Sequence, residues 1–399
     1  MVKFWDPLAE VYRSRLKSPQ SAVAAYEVAM KLDPTSVKRR EKLAELYLVI
    51  GDDQADKAVV QHQELLKLDP YRYDSYKALR RIYMDTDQFD KAWCLCNTLN
   101  LLNKANEEEK QYFEQYKPRG FVKAKQRMTD EMWKHVYHEK ENLYIDSVFG
   151  TIWQGPAMMK AQPHKSFKLK RKDRRVLETD QLQFSKIFYY ASQVSNAAFQ
   201  PDVYLLENQE GAVSFLNVHE KGVLCPSLLV GKHMLSGRRE TEIAYVAGKW
   251  LTLLRPDHIL RVILETNTEL RAAFWSALTL VNPKFPVPAK DQANVANYAK
   301  QMSKRMKPQW VEQLGVVVQR IMKNSPKLDL NEWSQAVDQT AYRMGFILSG
   351  DLQVAYQMVG AEPVAVGAAK PKEKLQELIL YSISEDYFKV RKHLGLTIG

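Results

Sequence analysis

His135 and His138 stand three apart in a helical stretch, which would set two imidazoles on one face as the start of a metal site, but no third ligand is evident. Cys225 precedes Pro226, and a hairpin would bring His219 and His233 near it; no helix N-terminus is placed to ionise the thiol, so these histidines read as structural. Gly231-Lys232 keeps the last two letters of a phosphate loop without its upstream glycine or its following hydroxyl, and no Gly-x-Ser-x-Gly elbow occurs. The densest charge is His164 to Arg175, HKSFKLKRKDRR, with seven Lys or Arg and one acid. Clustered cations release counterions on meeting a polyanion, which makes Lys168, Lys170, Arg171, Lys172, Arg174 and Arg175 the candidate polyanion contact. Phe167 alone interleaves them, too little for a base-stacking platform, so the segment reads first as a solvated loop and nucleic acid is not the favoured partner.

These segments must be held by ordinary globular domains. The chain has 399 residues, 45% hydrophobic and 26% charged, longer than one core usually supports, so two or three domains are expected. Its formal net charge of +11 comes from 58 Lys and Arg against 47 Asp and Glu, a diffuse excess that favours acidic partners only in a general way. Cys94, Cys96 and Cys225 are too few for a disulfide framework and point to a reducing compartment. With no export pattern and no apolar run of bilayer-spanning length, the expectation is a cytoplasmic protein; it opens almost directly inside a helix, Asp6 to Leu16, as a fragment of a longer protein would.

The first hundred residues repeat. Leu32-Asp33-Pro34 recurs as Leu68-Asp69-Pro70, thirty-six residues on, each preceded and followed by a helical pattern. Leu8, Ala9, Tyr12, Ala22, Tyr26 and Ala29 in the first copy, Leu43, Ala44, Tyr47, Gly51 and Ala58 in the second, and Tyr76, Leu79, Tyr83, Phe89 and Ala92 in the third alternate small and large side chains as paired helices need. The segment resembles tetratricopeptide repeats, with extra turn residues in copy two and Arg80 where a small residue is usual. The resemblance implies a partner groove lined by the first helix of each repeat, which would place Lys38, Glu41, Glu45 and Leu48 of copy two and Lys77, Arg81 and Met84 of copy three on it. A capping helix is expected from Ala105 to Tyr116, with Asn103 available as its N-cap.

From Leu177 the order becomes helix (Leu182 to Val194), short strands (Val203 to Leu206, Gly211 to Val218, Pro226 to Val230), then a helix from Thr241 to Leu254. Glu242-Ile243-Ala244-Tyr245-Val246-Ala247-Gly248 resembles the lead-in to the zinc helix of HExxH metallopeptidases of the minigluzincin and HtpX-like kind. The next five residues would hold that motif, and they read Lys249-Trp250-Leu251-Thr252-Leu253. The resemblance implies His at the first and fifth positions and a general-base Glu at the second; protonated Lys has no lone pair, Trp only donates and Leu offers nothing. In place of the later Glu-x-x-Ala-Asp pattern stands Ser334-Gln335-Ala336-Val337-Asp338, with Ser334 at the ligand position and Asp338 retained.

The expected architecture is mostly α with a small sheet: an N-terminal α-solenoid over 1–117, a helical connector with the basic cluster over 118–176, a degenerate α+β zincin-like domain over 177–360, and a connector with C-terminal helices over 361–399. Helices are expected at Lys374 to Tyr381 and Ser384 to Leu394, with Ser382 and Glu385 as a capping box. The combination is similar to tetratricopeptide proteins of myxobacteria and related bacteria. It implies a non-catalytic scaffold with protein partners and neither metal nor cofactor. Alternatives are a repurposed or peptide-binding cleft floored by Lys249, Trp250, Ser334 and Asp338, and polyanion binding by the basic cluster.

Overall fold

The computed structural model describes residues 2–206, 211–362 and 368–398, which form a mostly helical chain with two small mixed sheets. It divides into two compact units: 1–117 with 379–388 and 397–399, and 118–378 with 389–396. Among the described residues no helix is long and apolar enough to cross a membrane.

The first unit contains α1 (Val2–Glu10), α2 (Pro19–Leu32), α3 (Val37–Ile50), α4 (Ala55–Leu68), α5 (Tyr73–Asp85), α6 (Phe89–Leu101) and α7 (Glu107–Tyr116), and each packs on its neighbours in sequence. Ala22, Ala29, Ala44, Ala58 and Ala92 are buried to 1% exposure or less, which is what lets the backbones approach. The large rings between them keep their hydroxyls satisfied: Tyr47 donates to Glu27 at 2.7 Å and Tyr76 to the Pro70 carbonyl at 2.7 Å. Asp33 of the first Leu-Asp-Pro accepts from buried Arg39 at 2.9 Å, and Arg39 also meets Asp6 at 2.7 Å. Arg80, the residue that broke the repeat pattern, turns its guanidinium to Glu108 at 2.5 Å. Residues 379–388 belong to this unit, where Phe388 stands edge-on to Tyr83 and Glu385 pairs with Lys91 at 2.9 Å.

Two expected caps are displaced. Asn103 has φ +56°, a left-handed residue that ends α6 instead of opening α7. Asn106 is the N-cap of α7: its side chain accepts from the Glu109 N–H at 2.8 Å while Glu109 accepts from the Asn106 N–H at 2.7 Å. Asn106→Ala should lower the stability of this unit by about 1 kcal/mol, read as a shift of the urea midpoint. Likewise Ser384, not Ser382, caps the last helix by accepting from the Tyr387 N–H at 3.1 Å, while Ser382 donates to the Ile379 carbonyl at 2.7 Å.

The second unit begins with α8 (Asp130–Trp133), α9 (Leu143–Ile152), α10 (Gln154–Lys160), β1 (Gln162–Pro163), β2 (Arg174–Arg175) and α11 (Gln183–Val194). Strands β3 (Asp202–Leu206), β4 (Val213–Leu216), β5 (Val218–Glu220), β6 (Val223–Leu224) and β7 (Ser227–Gly231) follow, then α12 (Glu240–Leu253), α13 (Leu260–Ile263), α14 (Asn267–Val281), α15 (Gln292–Ser303), α16 (Pro308–Asn324), α17 (Leu330–Ser349) and α18 (Leu352–Gly360). The last helices, α19 (Pro371–Tyr381) and α20 (Glu385–Leu394), each contain a point of division between the units. One sheet runs β2-β3-β7-β4, with β3 parallel and β4 antiparallel to β7; the other runs β1-β5-β6. All five residues of β7 are buried, as a central strand covered on both faces requires. Helices α12 and α17 pack closely, and Phe149 of α9 meets Trp333 of α17 at 4.8 Å between ring centres.

Candidate functional site

Helices α12 and α17 carry the five positions singled out by the peptidase resemblance. Lys249 forms an ion pair with Glu362 and lies 5.6 Å from the centre of the Tyr342 ring. Tyr342 donates to the other Glu362 oxygen at 2.7 Å and receives Lys374 Nζ at 3.0 Å. Burial, Glu362 and Asp338 all push the Tyr342 phenol well above its ordinary pKa, so it stays a neutral donor. Asp338, one turn before Tyr342, pairs with Arg261 at 2.9 Å. Ser334 is buried and donates to the Asn331 carbonyl at 3.0 Å, and Leu253 is buried. The polar groups among them are already engaged: Lys249 by Glu362, Asp338 by Arg261 and the Ser334 hydroxyl by its own helix.

Trp250 faces elsewhere. It lines a cleft of about 500 Å³ together with β4, Phe167, Val262 and Ile263, and Lys160 and Glu265 stand among the polar groups there. Of the four residues expected to floor a cleft, Trp250 is the one that lines this one. Among the described residues strand β4 is an edge. Val213 lies opposite Val230, Phe215 lies opposite Leu228, and Gly231 N–H donates to the Ala212 carbonyl at 2.9 Å. Antiparallel pairing alternates, so Ser214 and Leu216 bond to β7 while the N–H and C=O of Val213 and Phe215 point outward. Outward peptide groups beside an apolar floor make a template for an added strand.

No protein-family model matches the chain. Nor does any curated protein or solved structure. The chemistry of the sites is therefore that of their own residues.

Of the expected repeat groove, Lys38, Glu45, Leu48 and Arg81 are exposed, and Glu41, Lys77 and Met84 are half-buried, with Glu41 held by Arg72. In the basic segment Lys168, Lys170, Lys172 and Arg174 are exposed and Arg175 is half-buried; the Arg171 side chain lies outside the described ones. Arg174 is already paired with Asp202 at 2.8 Å. His138 and His135 do not form a metal pair: His138 Nδ1 accepts from the Lys140 N–H at 3.1 Å, and its Nε2 lies 3.6 Å from Glu377. Sequence reading passed over Glu141, Asp146 and His258, which meet in the core of the second unit. Glu141 and His258 are 117 residues apart, and no local spacing signals their meeting.

Proposed function

We propose that the protein is a non-catalytic binding protein, a tetratricopeptide-like array joined to a zincin-like domain whose cleft takes an extended peptide instead of cutting it. The edge of β4 beside Trp250 carries this reading, because it offers main-chain bonds next to an apolar floor. Support for the degenerate-peptidase part comes from the order α11, β3, β4, β7, α12, α17 and from Lys249, Trp250, Leu253 and Ser334 at the ligand and base positions. Neighbour-on-neighbour packing of α1 to α7 supports the repeat reading, and the exposed Lys38, Glu45, Leu48 and Arg81 offer a second protein-binding face. A cytoplasmic setting belongs to the same proposal.

The test uses labelled peptides of about ten residues rich in β-branched and aromatic side chains, the composition that adds best to a sheet edge. Binding should weaken about tenfold in Val213→Pro, which removes an outward N–H without touching a bond to β7, and by at least as much in Trp250→Ala. Far-UV circular dichroism should stay unchanged in both. Peptides that bind neither protein nor variant, or that are cleaved, would sink the proposal.

A further inference from the structure

We infer that Glu141, Asp146 and His258 hold a first-row divalent cation, zinc foremost, in the core of the second unit. This departs from the sequence expectation of a metal-free chain, and it concerns residues separate from the peptide cleft. One ligand-type atom from each of the three lies within 4.8 Å of the others, and all three residues are buried. Glu141 precedes α9, Asp146 is in its first turn, and His258 lies between α12 and α13, so the site ties together segments distant in sequence.

Each of the three has its second polar atom already engaged. His258 Nδ1 is 3.0 Å from the Thr252 carbonyl, which only accepts, so that nitrogen carries a proton and Nε2 is the atom turned to the carboxylates. Glu141 Oε2 accepts from the Thr340 hydroxyl at 2.5 Å, and that hydroxyl is aimed by accepting the His138 N–H at 2.9 Å. Asp146 Oδ1 accepts from Trp333 Nε1 at 2.6 Å. The atoms that face one another are Nε2 of His258 and Oε1 of Glu141, which meet at 2.5 Å, and Oδ2 of Asp146. Oδ2 is buried with no hydrogen-bond partner, in a residue only 6% exposed. An orphaned carboxylate oxygen at that depth costs free energy unless a cation or a proton meets it.

Outer hydrogen bonds that fix the far atom of each ligand are how metal sites orient imidazole and carboxylate. One nitrogen and two carboxylate oxygens suit zinc, manganese or ferrous iron, whereas calcium takes six to eight oxygens. A dication also neutralises the two carboxylates, while nearby Asp257 is matched by Arg255 at 3.3 Å and Tyr137 at 3.0 Å. His258 Nε2 and Glu141 Oε1, 2.5 Å apart, would spread to admit the ion. Asp257, 3.7 Å from His258 Nε2, also lines a surface cavity of about 440 Å³, so this one residue touches both the cluster and that cavity.

The experiment strips the full chain with chelator, then adds zinc chloride, with manganese and ferrous salts as further arms. Metal is quantified by elemental analysis and stability by thermal unfolding. The stripped protein should take up about one equivalent and gain about 5 °C or more in Tm at a hundredfold excess over Kd. Asp146→Asn keeps the Trp333 bond through its amide oxygen and should lose both the metal and the shift. Retention of metal by Asp146→Asn would place the ion elsewhere and overturn the assignment, and metal at the α12 positions would overturn the non-catalytic reading instead. Stripped protein that takes none of the three ions overturns the assignment too, and a higher Tm for Asp146→Asn would then identify a proton in the ion's place. Should Asp146→Asn fail to fold, X-ray absorption of the zinc-loaded parent must show nitrogen and oxygen ligands only, and sulfur ligation would refute the site.

Discussion

Gly248→Val is expected to destabilise the second unit by about 3 kcal/mol or more, because it forces a side chain between two helix backbones. A Cβ at Gly248 would stand 2.7 Å from the Met344 carbonyl oxygen and 3.0 Å from Gly345 Cα. A Cβ at Gly345 would meet the Tyr245 ring and carbonyl at 2.9 Å. Two glycines thus mark the crossing of α12 and α17, and backbone cannot rotate away as a flexible side chain can. Gly315 supplies the contrast: on α16 its added Cβ would find only Val281 Cγ1 at 3.7 Å, an ordinary contact. Gly315→Ala should therefore be neutral or stabilising by up to about 1 kcal/mol through helix propensity. Urea unfolding of the three proteins decides it; a Gly248→Val midpoint equal to that of the parent would show that the helices separate freely, and the tight crossing would be wrong.

Gly248 also illustrates how far the sequence could be read. Its place at the end of the Glu242-to-Gly248 lead-in was visible, and so was the helix around it, because apolar spacing reports helices and alternating apolar residues report strands. That Gly345 lies opposite it was not visible, since a pairing across about a hundred residues leaves no local trace. The same limit hid the partner of Arg80, the meeting of Glu141 with His258, and the open side of β4, all of which depend on which segments the fold brings together. Caps failed for a different reason. Asn103 and Asn106 are both good N-cap types, and the choice between them turned on the left-handed backbone at Asn103, which side-chain type alone does not fix. Lys249 shows a third case: its chemistry was legible as unfit for a metal, but its engagement by Glu362 required the turn after α18 to fold back onto α12.

The second large effect is expected at Glu377, which is largely buried between Arg343 and His138. Burial alone would raise its pKa; His138 and Arg343 outweigh burial and hold the carboxyl down at about 2, against 4.5 ordinarily. A depressed carboxylate pKa stabilises the fold fully above the unfolded value, and the contribution is lost as pH falls from about 4.5 through about 2. The pKa difference corresponds to about 3 kcal/mol. Arg343 is 8% exposed and also donates to the Tyr137 carbonyl at 2.8 Å, so removing the carboxylate charge strands a guanidinium in the core. Glu377→Gln should accordingly cost about 3 kcal/mol at pH 7, and the gap from the parent should close as pH falls toward 2 and the parent's carboxyl takes up its proton. Guanidinium unfolding of parent and variant across pH 7 to about 2.5 measures the gap directly. A gap that stays constant with pH would mean that Glu377 acts by shape and hydrogen bonding alone, and the ion pair with Arg343 would not be what stabilises this end of α17.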